Sequence, residues 1–217
     1  MNVIRLEQVY PSVFGGKVPL GGESDVWGCS VEFRKGESTL LKAESGKGKT
    51  SLCSFVSGSR TDYDGRIMID GADLRGMSDS EKLEYRKSSL AILHQDLKLF
   101  SELNALDNVM VKSRLNCGIS VDEAGEMLLK LGLEESMLRR PVRTLSLGQQ
   151  QRVAFVRMLS FPADFRILDE PVSHLDTQSA SVMAEMLHNV SAADGAGVIV
   201  TSVGYDFPYK YDKVLKL

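Results

Sequence analysis

The chain has 217 residues, with 26 Lys and Arg against 29 Asp and Glu, for a formal net charge of −3. That length predicts one domain able to bury a sizeable core, and the slightly acidic balance argues against nucleic acid as the main partner. No apolar run reaches the roughly 18 residues a membrane span requires, and charges interrupt the N-terminal run from Met1 to Glu7, so no signal peptide is predicted.

The first part of the chain is strand-rich. Val3 to Val9, Val26 to Phe33 and Thr39 to Leu41 are β-prone runs, separated by turns at Gly15-Gly16, Gly21-Gly22 and Lys35-Gly36. The third run, starting from Ser38, leads into Ala43-Glu44-Ser45-Gly46-Lys47-Gly48-Lys49-Thr50-Ser51. Beyond it, Leu52, Phe55 and Val56 fall at helical spacing, so a helix opens at about Lys49 and ends near Gly58. Strand, glycine-rich loop and helix start make the setting of a phosphate-binding loop. Its backbone N–H groups and the positive end of the helix dipole converge on phosphate oxygens. Lys49 then faces the outer phosphates and Thr50 offers its hydroxyl to Mg²⁺. Ala43 stands where the strict pattern has glycine; its Cβ is tolerated if the residue keeps a negative φ.

Arg66 to Ile69 with Asp70-Gly71 predicts a strand entering a tight turn. Ser80 to Lys87 predicts an exposed helix, and Leu90 to Leu93 a short strand leading into His94-Gln95-Asp96. The middle of the chain changes character. Val121 to Leu131 and Glu134 to Arg139 carry helical periodicity, with Leu128, Leu129 and Leu131 as an apolar face. Ser146 and Gln149 have capping-box spacing ahead of Val153, Val156 and Leu159, so a helix starts there and its uncharged tip is a second anion-seeking surface. Two buried-type strands follow, Phe165 to Leu168 running into Asp169-Glu170-Pro171 and Gly197 to Thr201 running into Ser202, with a helix over Gln178 to Val190 between them. Such alternation predicts a parallel sheet flanked by helices, with ligands at the carboxyl ends of its strands. Asp169 at a strand end can reach a Mg²⁺ held by Thr50, and Glu170 can polarise a water. Cys29, Cys53 and Cys117 are odd in number and lack CxxC pairing, which predicts reduced, buried thiols in a cytosolic protein.

With these pieces in this order, the chain resembles the nucleotide-binding subunits of ABC transporters over essentially its whole length. The phosphate loop comes first, then Gln95 as the Q-loop glutamine, the signature Leu145 to Gln149, the Asp169-Glu170 pair, and Ser173-His174-Leu175-Asp176 as the D-loop. Within the family, His94-Gln95-Asp96, Leu99-Phe100 and Asn104 to Val109 resemble the lipoprotein-release, macrolide-efflux and cell-division branch.

The resemblance implies an α/β phosphate-loop NTPase core with an N-terminal antiparallel β part and an inserted helical sub-domain. It divides the single domain, 1–217, into a core of about 1–95 and 158–217 and a helical part of about 96–157. It also implies two copies packed head to tail around two ATP molecules. Each ATP would lie on residues Ala43 to Ser51 of one copy and meet Ser146, Gly148 and Gln149 of the other. Gln95 would touch Mg²⁺ and the γ-phosphate, Asp176 and Ser202 would border the nucleotide, and Tyr10 or Phe14 would stack on adenine. Thr50, Gln95 and Asp169 form the implied metal set; Glu170, Lys49 and Gln95 form the implied catalytic set. A transmembrane permease would dock near Leu97 to Val111, holding the protein on the cytoplasmic face of the cell membrane. Two departures stand out. Leu147 occupies a signature position that is usually glycine, and Ser202 stands where the family places a γ-phosphate-sensing histidine. The second implies slow hydrolysis, and leaves as an alternative a regulatory ATP-binding module that gates a membrane or cell-wall protein.

Overall fold

The computed structural model describes residues 1–15, 24–172 and 176–217. Five strands, β3 (Ser38–Lys42), β6 (Leu90–Leu93), β7 (Phe165–Asp169), β8 (Gly197–Ser202) and β9 (Lys213–Lys216), form a parallel sheet in the order β6-β7-β8-β3-β9. A second, antiparallel sheet carries β2 (Ser30–Arg34), β1 (Val3–Pro11), β4 (Tyr63–Ile69) and β5 (Ala72–Asp73) in that order. The mixed α/β class expected from the sequence is therefore present, with the antiparallel part N-terminal.

Strands β3, β6, β7 and β8 are largely apolar on both faces because both are covered, whereas the edge strand β9 leaves Val214 56% exposed. Successive side chains point to opposite sides of a strand. Leu40, Leu168, Val198 and Val200 accordingly join the helical core, while Leu41, Ile167 and Ile199 join a second core beneath the antiparallel sheet. That second core holds Ile4, Leu6, Phe33 and Ile67 from the antiparallel sheet and Leu52 and Phe55 from helix α1 (Lys49–Val56). On the other face lie α3 (Ala105–Ser113), α4 (Val121–Lys130), α5 (Glu135–Leu138), α6 (Leu147–Leu159) and α7 (Thr177–Asp194), preceded in the chain by the exposed α2 (Asp79–Glu84).

Several expectations need correction. Val26 to Phe33 is not one strand: pairing starts at Ser30, because the Ser24 hydroxyl accepts the Val26 and Trp27 amides and coils that stretch into a turn. The helix expected over Ser80 to Lys87 closes at Glu84 and widens into a π-turn over Tyr85–Ser89. In α4 the apolar face is Ala124 and Leu128, continued by Leu131; Leu129, one position round from Leu128, is 43% exposed. Only Cys53 is a buried thiol, whereas Cys117 is exposed and Cys29 is intermediate. The turn at Gly15 is present with φ +59°, while Gly16, Gly21 and Gly22 lie outside the described residues.

Among the elements not foreseen are β9 and α3. The β9 strand adds to the edge of the parallel sheet beside β3. Helix α3 forms where the sequence reading saw only a surface for a partner. Ala105, Leu106, Val109 and Met110 make its buried face, and the Asn104 side chain caps it by accepting the Asp107 amide. Asn108 is fully buried in it. Its Oδ1 accepts the Phe100 amide at 2.9 Å, and its Nδ2 donates to the carbonyls of Phe100, Leu103 and Asn104 at 3.1, 3.2 and 3.0 Å. One amide thus folds the connection between β6 and α3. Replacing Asn108 with Ala should lower the unfolding free energy by about 2–4 kcal/mol, since several backbone groups lose their partners together. Urea unfolding followed by circular dichroism measures this, and a loss below about 1 kcal/mol would show that water replaces these bonds.

Candidate functional site

The loop between β3 and α1 is shaped by two left-handed glycines, Gly46 at φ +78° and Gly48 at φ +93°. Ala43, by contrast, is not among the residues with positive φ, so its Cβ brings no backbone strain. Trp27 closes the loop from outside: its indole N–H donates to the Lys47 carbonyl at 3.0 Å, and a Cβ at Gly48 would come within 3.0 Å of its ring. At the loop's start the Ala43 amide donates to the Ser202 carbonyl at 3.2 Å. The loop is thus tied to two different strands and a buried indole.

Lys49 begins α1 and is 5% exposed. Its ammonium reaches back across the loop to the carbonyls of Glu44 at 2.8 Å and Ala43 at 3.2 Å, and lies 3.5 Å from Glu170 Oε1. Thr50 Oγ1 donates to Gln95 Oε1 at 3.4 Å, and Gln95 Nε2 donates to Glu170 Oε2 at 3.4 Å. Lys49, Thr50, Gln95 and Glu170, taken from α1, from the end of β6 and from the end of β7, therefore meet in one cluster.

Asp169, the last residue of β7, is buried, and its Oδ1 accepts from the Thr201 hydroxyl at 2.7 Å. The Glu170 amide donates to that same hydroxyl at 3.1 Å. Glu170 itself holds φ +53°, a left-handed conformation that an L-residue avoids unless its surroundings impose it. Behind the cluster, burial raises the Cys53 thiol well above its ordinary value, and the Asp169 carboxylate adds to the effect. Hydroxyl, amide and carboxylate oxygens with no thiol among them suit a hard divalent cation. The open side of Gly46, where an added Cβ would meet nothing, suits an anion against the loop's backbone.

Ser146 is the N-cap of α6 and forms the full capping box with Gln149, at 2.9 and 3.3 Å. Val153, Val156 and Leu159 are buried as the periodicity requires. Leu147, in the first turn, is 49% exposed. Among the described residues no hydrogen bond or ion pair joins Ser146, Gly148 or Gln149 to the Lys49 cluster. Ser202, which the β-sheet register sets beside Lys42, has its hydroxyl donating to the Tyr205 carbonyl at 2.7 Å, with Asp206 Oδ1 3.1 Å away. Asp206 in turn pairs with Lys42 at 2.5 Å. Asp176 caps α7 by accepting the Ser179 amide, a bond that, with the Ser179 hydroxyl, holds its carboxyl below the ordinary range. Tyr10 lies with its ring against Gly28. The side chain of Phe14, and Ser173, His174 and Leu175, lie outside the described residues.

Three residues to which the sequence reading gave no role tie α6 to this site. Gln151, buried, donates to the Pro171 carbonyl at 2.6 Å, just past Glu170. Arg152 donates to Ser179 at 2.9 Å and lies 3.6 Å from Asp176. Arg157 donates to the carbonyls of Leu97 at 2.6 Å and Lys98 at 2.8 Å, two adjacent residues with φ +57° and +48° beyond Gln95. All three are polar side chains on the helix that follows the capping box, which was the one signal available for them.

Comparison with known proteins is consistent with this geometry. A family model described as ABC transporter matches residues 26–173. An uncharacterized ABC transporter ATP-binding protein of Mycobacterium bovis is 32% identical over 194 residues, which are 88% of this chain and 58% of that protein, so the chain spans little more than half of that relative's length. The lipoprotein-releasing system ATP-binding protein of Roseobacter denitrificans is 30% identical over 195 residues, 88% of this chain and 85% of that one. Among solved structures, a dimeric bacterial ABC transporter cassette has a TM-score of 0.76 at 24% identity, over 92% of this chain and 87% of its own. That cassette is also known as a dimer in a post-hydrolysis state bound to ADP and phosphate.

Proposed function

The chain belongs to the ABC transporter family, and from that premise we propose that it is the ATP-binding and ATP-hydrolysing subunit of a transporter or mechanotransmission complex. The observation that carries this reading is the convergence of Lys49, Thr50, Gln95 and Glu170 at the carboxyl ends of parallel strands, beside a loop opened by Gly46 and Gly48. Two copies close head to tail around two ATP molecules, each bound by residues 43–51 of one copy and by the Ser146, Gly148 and Gln149 tip of its twin. Among the described residues no hydrogen bond or ion pair ties that tip to the Lys49 cluster, which is compatible with an intermolecular sandwich.

The reaction is ATP plus water to ADP plus phosphate. Lys49, buried and held by loop carbonyls, presents fixed positive charge to the outer phosphates. Glu170 accepts a proton from the attacking water, oriented by the left-handed turn that follows β7. Thr50, Gln95 and Asp169 would hold Mg²⁺, whose contribution when bound is to offset charge developing on the phosphates. ATP binds the closed pair better than the open one, so binding drives closure and hydrolysis releases it. Residues 1–95 and 158–217 act as the core, and 96–157 as the helical part that carries the signature tip. A membrane permease docks near Leu97 to Val111 and holds the protein at the cytoplasmic face of the membrane. None of the described helices is long and apolar enough to cross that membrane.

Hydrolysis is slow. Ser202 replaces a histidine that is long enough to reach a phosphate and able to carry charge, and its one proton is already directed to the Tyr205 carbonyl or Asp206. The same observation favours, as the second reading, a regulatory module with little turnover.

Glu170→Gln should bind ATP and elute from gel filtration as a dimer, while Lys49→Ala should lose most binding of a fluorescent ATP analogue. A Glu170→Gln protein that stays monomeric with nucleotide bound would contradict the sandwich. Ser202→His should raise steady-state turnover by roughly tenfold, about 1.4 kcal/mol off the barrier. Turnover equal to that of a histidine-bearing relative before the change, with no gain after it, would remove the case for a slow enzyme.

A further inference from the structure

At the β6 edge of the parallel sheet, a groove of about 330 Å³ opens between Ser57 and Ser59 after α1, the Tyr85–Ser89 turn, β6, α3 and α6. Its charge is one-sided. Arg86, Lys98, Lys112 and Arg157 line it, and no Asp or Glu does among the described residues. Lys98 is paired with Asp96 at 2.5 Å, but Arg86, Lys112 and Arg157 make no ion pair among those residues. This is a local excess of cations in a chain whose net charge is −3.

These cations are not freely solvated. Burial pushes the Arg157 guanidinium down to about 10. Burial also lowers the Lys112 ammonium, with Arg157 and then Arg86 adding repulsion. Lys112 lies 5.1 Å over the Phe161 ring, and Arg157 gives one N–H from each terminal nitrogen, two of its five, to the neutral carbonyls of Leu97 and Lys98. Half-desolvated like charges that repel one another form a site that an incoming carboxylate would stabilise.

The rest of the lining is apolar. Phe100 and Leu115, which are 52% and 57% exposed, stand at this groove with Met158 and Phe161. Large apolar side chains left in water beside a recess mark a protein contact rather than a site for a bare anion.

We propose that this groove recognises a peptide segment of the membrane partner by one Asp or Glu side chain, set among Arg86, Lys112 and Arg157, with adjoining apolar side chains covering Phe100 and Leu115. The proposal rests on the reading that a permease docks near Leu97 to Val111, and it adds the chemistry of the docking segment and the contribution of Arg86 and Arg157, which lie outside that stretch.

The test is to pan a displayed library of short random peptides against the full chain, then rank the enriched clones on wild type, Lys112→Glu and Leu115→Glu proteins of matched melting temperature. The expected clones carry Asp or Glu next to apolar residues, weaken with added salt, and bind roughly tenfold less well to Lys112→Glu. Clones that lack acidic residues, or that bind wild type and Lys112→Glu alike yet lose Leu115→Glu, would overturn the charge recognition and leave the docking surface standing. A library yielding no clone sensitive to Leu115→Glu would overturn both. Sedimentation with phosphatidylglycerol vesicles, if it is abolished by Lys112→Glu and displaces the clones, would reassign the groove to lipid headgroups and overturn the proposal.

Discussion

The hydroxyl of Thr201 is the point on which the site's geometry turns. It is buried, donates to Asp169 Oδ1 and accepts the Glu170 amide, so one oxygen fixes both acidic residues at once. It can do so because β7 and β8 are parallel neighbours in a register that sets Asp169 opposite Thr201. The next residue of β8, Ser202, offers its carbonyl to the Ala43 amide at the entrance of the phosphate loop. The central strand of the sheet therefore positions the loop on one side and the carboxylates on the other. A slip of one residue would turn both side chains to the opposite faces.

A second set of constraints runs along α6. Its first turn presents Ser146 and Gly148, its middle is bonded to Pro171 and Ser179 through Gln151 and Arg152, and its end grips the carbonyls of Leu97 and Lys98 through Arg157. One rigid helix thus touches the segment after Glu170, the cap of α7 and the segment after Gln95. The Ser146 tip, the segment after Glu170 and the segment after Gln95 are linked through one helix, although among the described residues no hydrogen bond or ion pair joins the tip to the Lys49 cluster.

Much of this was legible in the sequence where the determinants are local. The Gly46 and Gly48 turn, the Ser146 capping box and the apolar runs of β3, β6, β7 and β8 depend on neighbouring residues only, and they sit where the sequence reading puts them. What was not legible depends on distant partners. The strand expected from Val26 became a turn because the Ser24 hydroxyl and the Lys47 carbonyl claim groups from it. Strand β9 forms because β3 offers it an edge, and Asn108 is an internal strut only once Phe100 and Leu103 are folded around it. The Arg157 grip joins residues about sixty positions apart, and periodicity carries no trace of it.

Leu97 and Lys98 share the handedness normally left to glycine, and each sits at a cost of about 1 kcal/mol against an ordinary backbone. Neither can relax while a single guanidinium holds both carbonyls. The segment is therefore a taut connection between the far end of α6 and Gln95, two residues upstream of Leu97, rather than a slack tether. Glycines at those positions would adopt the same turn without that cost.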